Sequence, residues 1–244
     1  MDDLSAAKQL ISCLDLTSLN ETDTSESIKK LCAKVQTPYG KTAAVCVYQR
    51  FIPVVLQNLP EQVKIATVVN FPQGELNTAQ TEREITRALK SGADEIDAVF
   101  PYQAFLSGKL NECEAYLKTI REKCTAEHTL KIILETGELQ TTRNIKAASQ
   151  LAIECGADFL KTSTGKTPIS ATPEAANAML EVIRASKQPV GFKASGGIRT
   201  LDDAKKYLVL AASIMGIDWI SPQTFRIGAS SLLDNLLQTI DKGF

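Results

Sequence analysis

Eight short runs rich in apolar and β-branched residues recur along these 244 residues, with helical patterns between them. They lie near 11–16 ("ISCLDL"), 42–48 ("TAAVCVY"), 64–71 ("KIATVVNF"), 95–100 ("EIDAVF"), 130–136 ("LKIILET"), 158–163 ("DFLKTS"), 190–194 ("VGFKA") and 225–228 ("FRIG"). Strands that are mostly apolar, not strictly alternating, belong to a parallel sheet covered by helices. Between the runs, Ile28, Leu31, Cys32 and Val35 share one helical face. Thr172 and Thr200 are predicted N-caps, the first followed by Pro173 and the second by Asp202 and Asp203 in the first turn. A last helix from about Ser230 aligns Leu232, Leu233, Leu236, Leu237 and Ile240. Gly-Ala-Asp followed by a strand occurs twice, 64 residues apart, the length of two β/α units. With an extra N-terminal helix near 3–10 and no Gly-rich turn in "DLTSLN", the pattern predicts an α/β fold. The expected form is a closed eight-stranded parallel β/α (TIM) barrel, one domain over 1–244, and not an open doubly wound sheet.

A net charge of -1 gives no electrostatic case for nucleic acid or an acidic membrane surface. "MDDLSAAKQL" is too polar for a signal peptide, and no apolar run approaches the ~18 residues of a membrane helix. The six cysteines show no metal or disulfide spacing and read as buried, reduced thiols of a cytoplasmic protein. His128 is the only histidine, which excludes a metal site built from several imidazoles and any pocket machinery that needs this residue elsewhere. Acid–base work falls to lysine and carboxylate.

Barrel function collects at the carboxyl ends of the strands. The strand-end candidates are Asp15, Thr17, Cys46, Asn70, Asp97, Glu135, Lys161, Ser163 and Lys193. Lys161 and Lys193 end neighbouring runs, and Gly191 below Lys193 would leave room for its stem. A free lysine, pKa ~10.4, is neutral at pH 7 in about one molecule in 2500. A second cation about 5 Å away, at an effective dielectric near 20, disfavours the charged form by ~3 kcal/mol, roughly two pKa units. Desolvation adds to this, and a neutral lysine is a Schiff-base nucleophile. The competing expectation is that each lysine simply pairs with a carboxylate such as Asp97, although one carboxylate does not easily neutralise two buried lysines. Asp97 is placed either to move protons or to form a plain ion pair. Lys131 and Glu135 are expected to be a structural pair. Gly196, Gly197, Gly228, Ser230 and Ser231, in loops after the last two runs, suit a phosphate held on backbone N–H groups. Lys166 and Arg199 would add charge, although a Gly-Gly pair is also an ordinary turn.

"DFLKTSTGK", "VGFKASGG", "GADEIDAVFPY", "IATVVNFPQG", "ILETGEL" and "FRIGASSLL" occur in order, and from "LDLTSL" to "GASSLL" the chain closely resembles the deoxyribose-phosphate aldolase family. The resemblance implies a metal-independent class I aldolase on a β/α barrel. Its reaction interconverts 2-deoxyribose 5-phosphate with glyceraldehyde 3-phosphate and acetaldehyde. It also implies Lys161 as the Schiff-base lysine, Lys193 and Asp97 as its proton partners, and Asp15 and Thr17 near the sugar hydroxyls. Thr164, Gly165 and Lys166 join the glycine and serine loops around the phosphate. No cofactor or metal is implied, and the partner is a phosphorylated small molecule, not nucleic acid or membrane. Some members carry a terminal tyrosine that moves a proton; here the sequence given ends "QTIDKGF", with Phe244 last and no tyrosine after Tyr207. Cys46 is expected near the pocket, either as a core cysteine or as a thiol open to unsaturated aldehydes. A transaldolase-like enzyme, a carboxylate-driven phosphosugar isomerase or epimerase, and a silent metabolite-binding barrel remain alternatives. The oligomeric state stays open, a dimer or tetramer being compatible with the pattern.

Overall fold

The apolar runs do close on themselves. In the computed structural model, which describes residues 2–243, ten strands follow in chain order. They are β1 Leu14–Ser18, β2 Gln36–Thr37, β3 Gly40–Lys41, β4 Ala44–Val47, β5 Lys64–Val69, β6 Glu95–Val99, β7 Thr129–Ile133, β8 Phe159–Lys161, β9 Gly191–Ser195 and β10 Phe225–Ala229. Strands β2 and β3 form a small antiparallel hairpin, and the other eight form a closed barrel in the order β1-β10-β9-β8-β7-β6-β5-β4. Every barrel pair is parallel, and helices connect the strands, as the sequence predicts. The terminal Phe244 lies outside the described residues. Among the described residues no helix is long and apolar enough to cross a membrane.

The Gly-Ala-Asp repeat has a mechanical explanation. Gly92 and Gly156 adopt φ +98° and +88° just past the helices Thr78–Lys90 and Thr142–Glu154, a backbone that only glycine enters without steric cost. The aspartate that follows stitches the new strand to the previous one at the barrel floor. Asp94 N–H donates to the Ile65 carbonyl while its side chain accepts from Ile65 N–H, and Asp158 does the same with Leu130.

Outward-facing Val45, Ile65, Ile96, Ile132, Leu160 and Phe192 join the apolar faces of the helices in one continuous core. Inside the barrel the β4–β5 side is apolar, with Ala44, Cys46, Ala66 and Val68 packed beside Leu19, and the Phe159 ring lies against Arg226 at the floor. Much of the remaining interior is charged, whereas such barrels are usually filled by branched aliphatic layers.

Element ends differ from expectation by a few residues, most informatively in four places. Ile11 and Ser12 belong to the first helix, Asp3–Ser12, because Ile11 continues its buried face of Ala7 and Leu10. Run 130–136 stops at Ile133, since Glu135 turns left-handed (φ +54°) and Thr136 begins a short helix. Run 158–163 ends at Lys161, after which Thr162 binds across to β9 through Lys193 and Ser195. The last helix is Leu232–Lys242, with Ser231 at its N-cap. Thr172 and Thr200 cap their helices as expected, accepting from Ala175 and Asp203 N–H.

Candidate active site

Register decides which charges meet. Parallel pairing sets Lys161 beside Lys193, Lys193 beside Arg226, and Asp97 beside Lys131. Alternation puts Glu95 below Asp97 on the same face of β6. Seven charged side chains therefore converge inside the barrel, all buried: Asp15, Glu95, Asp97, Lys131, Lys161, Lys193 and Arg226.

Asp97 is the hub. Its Oδ2 accepts from both Lys161 and Lys193 at 2.8 Å, and its Oδ1 accepts from Lys131 at 2.9 Å. Lys193 also donates to Asp15, which accepts from Arg226 at 2.5 Å. At the floor Glu95 accepts from Lys131 at 2.5 Å and from Arg226 at 3.0 Å. Burial works against the charge on Asp97, but Lys131, Lys161 and Lys193 outweigh it and hold the carboxyl well below the usual range. Asp15 is lowered in the same way, against its own burial, by Lys193 and Arg226. Burial would push Lys193 down, yet Asp15 and Asp97 hold it above the ordinary lysine range.

This corrects the expectation of two bare amines. The lysines do converge, but on a shared carboxylate oxygen, and Lys193 is kept charged by Asp15 and Asp97. The competing expectation, pairing with Asp97, is what both lysines do; the contact not foreseen is Asp15 as a second counter-charge to Lys193. Four cations face three carboxylates in the cluster, so one positive charge is in excess.

The expected Lys131–Glu135 pair is also corrected. Lys131 serves Glu95 and Asp97 inside the barrel. Glu135 lies beyond the end of β7 and accepts from Thr164 and Thr167 instead. Nor does Gly191 make room for Lys193, since a Cβ there would fall 2.4 Å from the Phe159 ring. Gly228 on β10 does so, its absent Cβ lying 3.0 Å from Lys193 Cε.

A cavity of about 210 Å³ opens above the cluster. Of the residues singled out in the sequence, Thr17, Lys161, Thr164, Gly165, Lys166, Gly196, Gly197, Arg199, Gly228 and Ser230 line it. Asp15, Asp97 and Lys193 do not line the cavity; Asp97 contacts Lys161, and Lys193 links Asp97 to Asp15. Ser231 is exposed at the uncapped start of the last helix. Cys46 is sealed in the barrel wall with no exposure, and burial first, then Asp97, pushes its thiol up. Asn70 holds backbone, donating to the Glu75 and Val99 carbonyls.

Gly165, Gly196 and Gly197 take φ between +77° and +89°, and their amides, with that of Ser230, donate to no protein acceptor among the described residues. Unused N–H groups beside an uncapped helix start are the kind of donor set that suits an anion. Lys166 reaches across the mouth to the Leu19 carbonyl at 2.6 Å. Sequence reading passed over Arg226, Glu95 and Lys131 as members of the cluster, although each is a charge of inward parity in an otherwise apolar strand. Among the described residues no group of three or more His, Cys, Asp or Glu is placed to hold a metal ion.

A family model described as DeoC/LacD family aldolase matches residues 9–238. A candidate deoxyribose-phosphate aldolase from Coccidioides immitis is 31% identical with a TM-score of 0.85, covering 96% of this chain and 86% of that one. The apo form of another from Toxoplasma gondii ME49 is 25% identical, covers 98% and 97%, and has a TM-score of 0.87. The tetrameric deoxyribose phosphate aldolase of Aeropyrum pernix shares the fold, with 23% identity, 100% and 98% coverage and a TM-score of 0.76.

Proposed function

The chain belongs to the DeoC/LacD aldolase family, and on that premise we propose that it cleaves 2-deoxyribose 5-phosphate reversibly to glyceraldehyde 3-phosphate and acetaldehyde through a Schiff base on Lys161. The observation that carries this reading is the shared oxygen of Asp97, on which Lys161 and Lys193 meet directly beneath the rim of unused N–H groups. Lys161 is the candidate nucleophile, because it makes a single carboxylate contact and lines the cavity, whereas Lys131 and Lys193 each touch two or more carboxylates.

The steps balance on these groups. The Lys161 amine adds to the open-chain aldehyde carbon, and the carbinolamine loses water to give an iminium. Loss of the C3 hydroxyl proton breaks the C2–C3 bond, its electron pair flowing into the iminium, and glyceraldehyde 3-phosphate leaves. The remaining enamine takes a proton at C2, and water releases acetaldehyde from the lysine. Asp97 and Lys193, hydrogen-bonded to each other, are the groups placed to carry those protons. Asp15 holds Lys193 charged, and Thr17 lies at the cavity wall where sugar hydroxyls would pass. The orphan amides of Gly165, Gly196, Gly197 and Ser230, with Lys166 and Arg199, support a phosphate site, and Gly228 and Ser231 flank it.

Six free, buried cysteines support a reducing, cytoplasmic setting; a role in deoxyribose catabolism follows from the proposed reaction. A homo-oligomer belongs to the same reading, supported by the tetrameric description of the Aeropyrum protein. The test is product release: acetaldehyde should appear from 2-deoxyribose 5-phosphate and vanish in Lys161→Ala. Turnover of a ketose donor alone, or undiminished cleavage by the alanine variant, would sink the assignment.

A further inference from the structure

Glu135 is a buried carboxylate that the proposed reaction leaves unused. It has no exposure, and among the described residues no lysine, arginine or histidine pairs with it. Its backbone sits at φ +54°, a region that an L-residue with a long side chain enters only when its surroundings require it. Every donor it accepts from belongs to one short segment. Thr164 Oγ1 donates to its Oε2, Thr164 N–H lies 3.4 Å from both oxygens, and Thr167 Oγ1 donates at 3.2 Å. Thr164 Oγ1 in turn accepts from Lys166 N–H at 3.0 Å. Gly137 lets the same loop press close, since a Cβ there would lie 2.2 Å from the Ile169 carbonyl oxygen. Burial pushes the Glu135 carboxyl up, and the two threonines resist that shift.

We propose that Glu135 is a positioning residue for the phosphate: it pins residues 164–167, and with them the Gly165 amide and the Lys166 side chain, over the cavity. The proposal rests on the phosphate site described above, though not on Schiff-base chemistry. A buried charge without a cation is a costly way to hold a loop merely for stability. It is suited to fixing several N–H and O–H groups of one segment at once, because an ionised carboxylate only accepts.

The test titrates inorganic phosphate calorimetrically into the wild type, Glu135→Gln, Thr164→Val and the double variant. Glutamine replaces one acceptor by a donor and should weaken phosphate binding by about tenfold or more, the valine by several-fold, and the pair by no more than the glutamine alone. In turnover, KM for 2-deoxyribose 5-phosphate should rise by a similar factor in Glu135→Gln. KM for unphosphorylated 2-deoxyribose should stay within about twofold and kcat within about threefold. Phosphate affinity unchanged within about twofold, or equal loss for both sugars, overturns the proposal. If the wild type cleaves neither sugar, the aldolase assignment falls while the phosphate titration still decides the role of Glu135. If Glu135→Gln fails to fold, Thr164→Val carries the same readout.

Discussion

At the scale of single residues, Asp97 carries the most. Three ammonium groups lie within 2.9 Å of its two oxygens, so Asp97→Asn would leave three buried lysines short of one counter-charge. Removing one partner of a buried ion pair costs about 3–5 kcal/mol, which for a chain of this size lowers Tm by roughly 6–20 °C. Thermal unfolding of the variant measures this. Acid should act on the same groups. Asp15 and Asp97 are held below the carboxylate range, so their stabilisation is complete above about pH 4 and is lost as pH falls through their lowered values. Glu135 has the opposite sign. Its value is raised, so ionising it costs stability as pH rises, and the Tm of Glu135→Gln should gain on wild type as pH rises above about 4. Asp97, Lys161 and Lys193 were legible in sequence because each is a charge at the end of an apolar run. The other members of the cluster, Arg226, Glu95 and Lys131, were not, because a run read alone does not say which neighbour its charge will face. The register across β6–β7 and β9–β10 supplies that.

At the scale of elements, two glycines on adjacent strands separate stability from chemistry. Gly228→Ala would place a methyl 3.0 Å from Lys193 Cε, displacing the amine from Asp97. Activity should drop by about tenfold or more, with only ~1–3 kcal/mol of overpacking. Gly191→Ala would drive a methyl into the Phe159 ring, away from the reacting amine, so Tm should fall while the kcat of the remaining folded enzyme changes little. Steady-state kinetics beside thermal melts distinguish the two. The eight barrel strands were legible from their composition, and the Thr172 and Thr200 caps from their side chains. Strand ends were less so. Whether Glu135 continues a strand or turns left-handed depends on Thr164 and Thr167, about thirty residues away.

At the scale of the whole molecule, the barrel is a charged column inside an apolar shell, and the proposed reaction runs beside its excess positive charge. Lys193→Leu would remove one cation and bring the cluster to balance, so the pH–rate profile should move to higher pH, measured as the midpoint of its acid limb. The shell makes its own prediction. Burial pushes Cys13, Cys32, Cys113 and Cys124 up to about 11, and all six thiols are buried. Iodoacetamide at neutral pH should therefore label none of them in the folded chain, Cys46 included, and all after denaturation. The central claim is narrower: one buried amine above Asp97 bonds covalently to the sugar. Borohydride reduction during turnover of 2-deoxyribose 5-phosphate, followed by peptide mapping, tests it most directly. The account predicts a stable adduct on the peptide containing Lys161, absent in Lys161→Ala; an unmodified Lys161 in enzyme that is cleaving the sugar would contradict it.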